Sequence, residues 1–204
     1  DASGASGGGT VLVGGDFQGR NPDIANSQVT YAGADTRIHA DATDSGNGGK
    51  VIVWADDNTQ AYGNISARGG PQGGDGGLIE TSGHLYLDAN GVIVDTSAPR
   101  GRAGTWLLDP TNIYIAVDQA AATNAGMTGT DTSVDGSGPS IFQASGFVTD
   151  SLLTTDTLQA NLANNSVVVN TANTSGYGGG VISVVSPVGW SNNNALTLNA
   201  DGSI

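Results

Sequence analysis

The chain has 204 residues, which is enough for one domain with a sizeable core. Its net charge is −13 with only six basic residues, so it lacks the positive surface that binding to nucleic acid or an anionic membrane requires. The absence of cysteine excludes disulfides, thiolate metal sites and a cysteine nucleophile.

The composition favours an ordered, repetitive β protein over a disordered chain. Glycine supplies 33 residues and charged residues only 12%, but 37% of the chain is hydrophobic and lies in short β-branched runs. No apolar run approaches the roughly 20 residues that a membrane-spanning helix needs. Asp1 opens directly into glycine-rich sequence, which favours an internal segment of a longer chain.

One short pattern recurs along the chain: two small residues, one variable residue and then alternating apolar positions. The copies lie at residues 8–13, 48–53, 76–81, 103–108 and 179–184. Each run has four to six residues bounded by Gly, Asn, Asp or Ser, which predicts β-strands separated by tight turns. Because side chains alternate along a strand, we expect Val11, Val51 and Ile79 to form one inward row.

Repeats of this kind favour a solenoid of stacked parallel strands over a sandwich, because glycine-rich turns let the chain change direction after every short strand. The repeat length of such proteins predicts roughly 20–25 residues per coil and about eight to ten coils. At a spacing of about 4.8 Å per coil, the rod is expected to be on the order of 40 Å long.

The sequence divides into three parts. Residues 1–115 are predicted to form β-helix coils with glycine-rich turns, and residues 116–150 a long loop excursion. Residues 151–204 are predicted to contain a short helix near residues 155–163 before strands resume. Leu158 and Leu162 share a helical face, and Thr155 or Asp156 is expected to cap the helix.

Four blocks of the sequence resemble filamentous-haemagglutinin-type exoproteins, the passengers of bacterial two-partner secretion. The matching blocks are residues 8–19, 46–70, 76–88 and 103–113. The resemblance implies an all-β, right-handed parallel β-helix that is secreted through an outer-membrane transporter. It also implies a location on the bacterial surface and a role in cell adhesion, biofilm or virulence. The family has no catalytic motif to carry over.

The residues with possible chemistry favour turns over catalysis. Asp56-Asp57 is the only adjacent acidic pair and follows a strand, so we interpret it as a solvated turn; the alternative is a polysaccharide lyase or hydrolase. His39 and His84 lack the spacing of a metal pair. Asp44 and Asp75 lie in glycine-rich turns but lack the tandem repeats of a calcium-binding roll. We predict no cofactor and no metal site.

Two further groups of residues, tyrosines and asparagines, suggest contacts or turns. Tyr62 and Tyr177 are flanked by glycine or polar residues and are the candidate ligand contacts. Residues 164–166 and 192–194 are asparagine-rich, and they fit either stacked asparagine ladders or ordinary solvent turns.

The sequence therefore predicts a non-enzymatic adhesin segment, a rigid stalk whose loops bind a host or matrix glycan or protein. The alternative from another class is a structural protomer of an extracellular fibre, assembled by end-to-end stacking of solenoids through their open strand edges.

Overall fold

The computed structural model describes residues 1–128, 148–171 and 179–204, whose regular structure is mostly β-strand. Two α-helices are present in these ranges, α1 (Gln119–Asn124) and α2 (Thr155–Leu162), with a short 3-10 turn at Phe17–Gly19. None of the helices in the described part of the chain has the length and apolar character needed to cross a membrane. The strands are β1 (Thr10–Val13), β2 (Val29–Ala32), β3 (Arg37–His39), β4 (Lys50–Ala55), β5 (Asn58–Ala61), β6 (Asn64–Ser66), β7 (Leu78–Gly83), β8 (Tyr86–Asp88), β9 (Ile93–Asp95), β10 (Thr105–Leu108), β11 (Asn112–Ala116), β12 (Asp150–Thr154), β13 (Ser166–Asn170), β14 (Ile182–Val184) and β15 (Leu196–Asn199).

The strands form four sheets in which every pairing between described strands is parallel. The largest sheet has the order β1-β4-β7-β10-β13-β15, and the other three are β2-β5-β8, β3-β6-β9 and β12-β11-β14. Neighbours in each sheet are mostly far apart along the chain, as parallel pairing requires. The prediction of a β protein built from stacked parallel strands is confirmed at this level.

The predicted inward row is present in the largest sheet. Val11 pairs with Val51, and Val51 pairs with Ile79. The row continues through Trp106 and Val167. From Val51 to Val167 these side chains are completely buried, and each large aliphatic residue buried in this way contributes about 1.5–3 kcal/mol relative to an exposed one.

The repeat is longer than predicted. Paired residues in β2 to β10 lie 27 to 29 positions apart, because each repeat contains three strands and one long turn. The expected 20–25 residues per coil and eight to ten coils are therefore wrong. Six strands spaced about 4.8 Å apart cover roughly 24 Å, so the stack is shorter than the expected rod.

The core lies between the sheets and draws on all four of them. Alternation along each strand sends one set of side chains into this core and the other set to the outer surface. Two leucines of α2 join the same core. The core includes residues from strands of all four sheets and from α2: Ala61, Ile65, Ile79, Ile113, Leu153, Leu158 and Leu162.

Strand β12 lies out of chain order. It pairs with β11 on one side, and on the other it contacts β8 through side chains. Ser151 Oγ accepts the Leu87 backbone N–H at 2.9 Å, and Asn90 Nδ2 donates to the Leu152 carbonyl at 2.9 Å. The chain therefore leaves β11 and returns to fill the space between β8 and β11.

Helix α1 occupies part of the segment predicted to be a loop excursion. Asp118 caps it by accepting the Ala121 backbone N–H at 2.8 Å. Ala122 and Met127 pack against Tyr114 and other partly buried apolar residues, so this part of the excursion covers the outer face of β11 and β12. Residues 129–147 of the predicted excursion lie outside the described residues.

The predicted short helix is present as α2, but its cap differs. Thr154, rather than Thr155 or Asp156, is the N-cap, and its side chain accepts the Thr157 backbone N–H at 3.4 Å. In the β3-β6-β9 sheet, α2 lies where the next strand would lie. Its Asn161 side chain accepts the Val94 backbone N–H at 2.7 Å. The helix therefore supplies a hydrogen-bond partner for the backbone at the outer edge of β9.

Candidate functional site

Tyr62, one of the two predicted ligand contacts, is half-buried directly after β5. Its hydroxyl donates to Asp88 Oδ2 at 2.8 Å, and its ring meets Tyr31 edge-on with centroids 6.1 Å apart. Burial, followed by the Asp88 charge, raises the pKa of Tyr62, so the hydroxyl stays protonated. The accessible ring is Tyr31, which is 55% exposed. Tyr177 lies outside the described residues.

The Asp56-Asp57 pair lies in the turn between β4 and β5. Asp56 Oδ1 accepts from Trp54 Nε1 at 3.1 Å and from Asn26 Nδ2 at 2.8 Å. The Asp57 carbonyl accepts the Tyr86 backbone N–H at 3.1 Å. These contacts hold the turn against neighbouring segments, in keeping with the interpretation of the pair as a turn.

The histidines and turn aspartates have separate structural contacts. His39 Nδ1 lies 2.8 Å from Ser66 Oγ, and the His84 ring lies 6.4 Å from the Trp54 ring. The Asp44 carboxylate accepts a hydrogen bond from Gln72 Nε2. In the described part of the chain, no three His, Asp or Glu side chains come together in a group that could hold a metal ion.

The asparagine-rich segments lie in turns, and Asn164, Asn192 and Asn193 are exposed there, as the solvent-turn interpretation predicts. Three asparagines of these segments also make specific contacts. Asn165 is fully buried, and its Oδ1 accepts the Thr96 backbone N–H at 2.7 Å. Asn192 and Asn194 donate to the Leu162 carbonyl from Nδ2 at 2.9 and 2.8 Å. Asn165 therefore joins the turn after α2 to the residue that follows β9. Asn192 and Asn194 supply donors to a carbonyl at the carboxyl end of α2.

Two buried carboxylates lie on the outer face of the largest sheet. Glu80 is fully buried, and its Oε2 accepts the Gln18 backbone N–H at 3.1 Å. Asp109, only 1% exposed, accepts from Gln18 Nε2 at 2.6 Å and from Asn170 Nδ2 at 3.0 Å. The hydrogen bonds of the two carboxylates hold Gln18 in place. Because both carboxylates are buried, they are not accessible to a substrate.

Residues 14–28, here called the cover segment, enclose this pair. Asp16 forms an ion pair with Lys50 at 2.8 Å, which fastens the cover segment to β4. A Cβ at Gly15 would lie 2.6 Å from the Trp54 ring. A glycine is therefore required where the cover segment crosses that ring.

Replacing Glu80 with glutamine is expected to flatten the pH dependence of stability. Burial first, then the nearby Asp109 charge, raises the pKa of Glu80 from 4.5 to about 7. The folded state thus retains a proton that the unfolded state releases, so wild-type stability falls as pH rises from about 4.5 through 7. The loss should be about 2–3 kcal/mol between about pH 5 and pH 8 in urea unfolding.

Glu80 is the only glutamate in the chain, so carbon-13 labelling of glutamate gives a single carboxyl signal whose titration can be followed directly. A midpoint near its ordinary value of 4.5 would contradict the prediction. Asp35→Asn, at an exposed residue, is the control and should leave the slope unchanged. Glu80→Gln should retain a weaker slope, since burial also raises the pKa of Asp109.

A groove of about 370 Å³ lies on the turns that follow β3, β6 and β9. Arg68 crosses it, with Nε and Nη2 donating to Asp41 Oδ2 at 3.0 and 2.7 Å. Burial acts to raise the pKa of Asp41, but hydrogen bonds from Arg68 outweigh it and lower that pKa. The groove is lined by Asp41, Ala42, Thr43, Arg68, Gly69, Pro71, Ser97 and Pro99.

Sequence reasoning missed both the buried carboxylates and the groove. One signal for Glu80 was available, because it is a charged residue within a predicted strand and directly follows Leu78 and Ile79. Asp41 and Arg68 come together because they occupy equivalent places in successive repeats, and the repeat length had been predicted too short. The predicted contact Tyr62 does not line this groove.

No family model matches the chain, and no curated protein matches it.

Proposed function

We propose that the chain is a non-enzymatic segment of a secreted bacterial surface adhesin of the filamentous-haemagglutinin type. In this proposal its parallel sheets wind into a right-handed β-helix that serves as a stiff stalk and ligand-presenting scaffold. The parent protein would leave the cell through an outer-membrane transporter. The observation that carries the proposal is the residue-by-residue parallel alignment of strands from successive repeats, with the row from Val11 through Val51, Ile79 and Trp106 to Val167 as its longest example.

Side chains that link one repeat to the next support a stiff stalk. Asn47 Oδ1 accepts the Asp75 backbone N–H at 2.8 Å, and Asp75 Oδ1 accepts the Arg102 backbone N–H at 2.8 Å. Asp41 accepts the Arg68 backbone N–H in the same way at 2.8 Å. Such links add hydrogen bonds to those of the strands and restrict motion of one turn relative to its neighbour.

The test displays the segment on a non-adherent bacterial strain and counts cells bound to an epithelial monolayer. Display is expected to raise adherence several-fold over the undisplayed strain. The proposal places the ligand surface in the excursion of residues 116–150. Replacing residues 129–147 with a four-residue Gly/Ser linker should therefore return adherence to background. A short linker suffices, since the Thr128 backbone N lies 2.8 Å from Asp150 Oδ2.

The shortened variant keeps α1, which covers β11 and β12, so its urea midpoint should match that of the parent. Equal adherence with and without the displayed segment would refute the adhesin proposal. Full adherence by the shortened variant would refute the placement of the ligand surface in the excursion.

A further inference from the structure

The groove beside Arg68 combines polar groups with apolar walls. Its charged group is the Arg68 guanidinium, whose side chain is 51% exposed, whereas the paired Asp41 side chain is only 7% exposed. Thr43 and Ser97 add hydroxyl groups to the lining, and Pro71 and Pro99 add exposed apolar rings. Its volume lies near the lower end of the range for ligand pockets, about 300–1,000 Å³, and therefore suits a small molecule.

Two contacts fix the guanidinium in the groove. Nε and Nη2 both donate to Asp41 Oδ2, and the Arg68 backbone N–H donates to Asp41 Oδ1 at 2.8 Å. Within the part of the chain that the structure describes, no hydrogen bond engages Nη1 of Arg68. The guanidinium is thus held in one orientation with donors still available to a ligand.

Charge narrows the class of ligand. Asp41 neutralises Arg68, and the chain as a whole carries a net charge of −13. An anionic ligand meets a repulsive overall field without an uncompensated cation to offset it. A cationic ligand meets the exposed guanidinium instead of the buried carboxylate. A neutral ligand with several hydroxyl groups and one apolar face matches both the charge and the lining.

We propose that the groove formed by Asp41, Thr43, Arg68, Pro71, Ser97 and Pro99 binds a neutral pyranose sugar. The sugar hydroxyls accept from the Arg68 guanidinium and bond with the Thr43 and Ser97 hydroxyls, and its C–H face lies on the proline rings. This goes beyond the proposed function, because it adds a small-sugar site on the turns after β3, β6 and β9, whereas the proposed function assigns the ligand surface to the excursion.

The test titrates the purified chain with methyl α-D-glucopyranoside, methyl α-D-mannopyranoside and methyl β-D-galactopyranoside, and follows the arginine Nε–H signals by nitrogen-15 NMR. The five arginines of the chain give few signals to assign. At least one sugar should shift the Arg68 signal saturably with a millimolar dissociation constant. Arg68→Lys, which loses the planar donor geometry, should weaken binding by about tenfold or more. Binding to this variant, and to the wild type for comparison, is followed by the backbone amide signal of Gly69, which also lines the groove.

Arg37→Lys is the matched control, since Arg37 is exposed on β3 and does not line the groove; it should bind as the wild type does. Pro71→Asp tests whether the proline ring contributes to sugar binding, and binding to this variant should weaken. The Asp41–Arg68 pair stays in place, so the Arg68 signal still reports binding. Its fold is checked by its urea midpoint. No saturable shift with any of the three sugars, or tighter binding of glucuronate than of the neutral sugars, would overturn the proposal.

The excursion-shortened chain should bind the sugar as well as the parent, because the contacts proposed for the sugar all come from residues between Asp41 and Pro99. Loss of sugar binding in that variant would contradict the placement of the site. Failure of the sugar titration leaves the adherence result standing, and failure of adherence leaves the sugar titration standing, so the two proposals are tested separately.

Discussion

Replacing Gly76 with alanine is expected to lower the free energy of unfolding by about 3 kcal/mol or more. A Cβ at this position would lie 1.8 Å from the Thr96 carbonyl oxygen and 2.4 Å from the Gly104 backbone nitrogen. These two atoms form a hydrogen bond with each other at 2.8 Å, at the entry to β10. Neither can move away as a flexible side chain would, so the two repeats must separate.

The same geometry occurs in the preceding repeats. A Cβ at Gly8 would lie 1.9 Å from the Ala40 carbonyl oxygen, and one at Gly48 would lie 1.9 Å from the Ala67 carbonyl oxygen. The glycine before each of these strands of the largest sheet therefore permits backbone contact between repeats, which is a requirement of the stack itself. Substitutions at Gly48 and Gly76 should have similar effects.

Urea unfolding followed by tryptophan fluorescence and far-ultraviolet circular dichroism measures the effect. Gly189→Ala is the matched control, since its Cβ would meet only Gln159 Oε1 at an ordinary 3.6 Å. That variant should stay within about 0.5 kcal/mol of the wild type. A Gly76→Ala variant as stable as the control would show that the repeats do not approach as closely as described.

Much of the strand arrangement was predictable because one local pattern encodes it. Paired small residues followed by alternating apolar residues mark β1, β4, β7 and β10, and similar strands stack in register when their apolar faces must coincide. Helix α2 was predictable from Leu158 and Leu162, which share one face and both enter the core. The repeat length was also present in the sequence, because the copies that begin at residues 48, 76 and 103 lie 28 and 27 residues apart. The expected 20–25 residues came instead from the usual repeat length of solenoid proteins.

The position of β12 was beyond reach of sequence patterns. On one side it pairs with β11, and on the other it is joined to β8 and the following turn through the single side chains of Ser151 and Asn90. Contacts of this kind have no periodic signature along the chain. The return of the chain to a place between β8 and β11 is therefore visible only in the folded structure.

Helix α1 was missed because its own sequence gives it little helical stability. The helix has six residues, three of which are the alanines at positions 120 to 122. Helices of this length are marginal in water even when alanine is abundant. The segment is helical where Ala122 and Met127 pack against Tyr114, so its stability comes from tertiary contacts that the local sequence does not report.

The groove was equally hidden from the sequence. Asp41 and Arg68 lie 2.7 Å apart across two repeats, and only the correct register brings them together. The tyrosines were predicted as contacts from their flanking residues alone, a local signal that does not report burial. The Tyr62 hydroxyl instead donates a hydrogen bond to Asp88, and the exposed ring beside it belongs to Tyr31.

Helix α2 can take the place of a strand because four helical residues span nearly the same length as two strand residues. Four residues of an α-helix rise about 6 Å, and two residues of a β-strand rise about 6.6 Å. Asn161 and Asn165, four residues apart, therefore reach the Val94 and Thr96 backbone N–H groups, two residues apart, both at 2.7 Å. Asn165 Nδ2 also donates to the Val94 carbonyl at 2.9 Å. Asn161 lies in α2 and Asn165 follows the turn at its end, where the Asn165 backbone N–H donates to the Asn161 carbonyl at 3.1 Å. The helix and this turn together thus close an edge that would otherwise have unpaired backbone groups.

Replacing Asn165 with leucine is expected to lower the free energy of unfolding by about 3–5 kcal/mol. Leucine has a similar volume but no polar atoms, so the Thr96 N–H and the Val94 carbonyl would stay buried without these partners, at about 1–3 kcal/mol each. Urea unfolding measures the total loss. Amide hydrogen exchange gives the local effect, since the Thr96 N–H should lose protection before the rest of β9.

Asn164→Leu is the matched control, because Asn164 is the same residue type on the same stretch of chain but is exposed. Asn165→Asp should also be strongly destabilising at neutral pH, since it replaces the donor to the Val94 and Asn161 carbonyls with a buried carboxylate oxygen. If Asn165→Leu is no less stable than Asn164→Leu and Thr96 keeps its protection, α2 does not close the edge of β9. A large loss in Asn165→Leu alone means that a helix can take the place of a strand in this stack, because its side chains supply the hydrogen bonds that a backbone would have made.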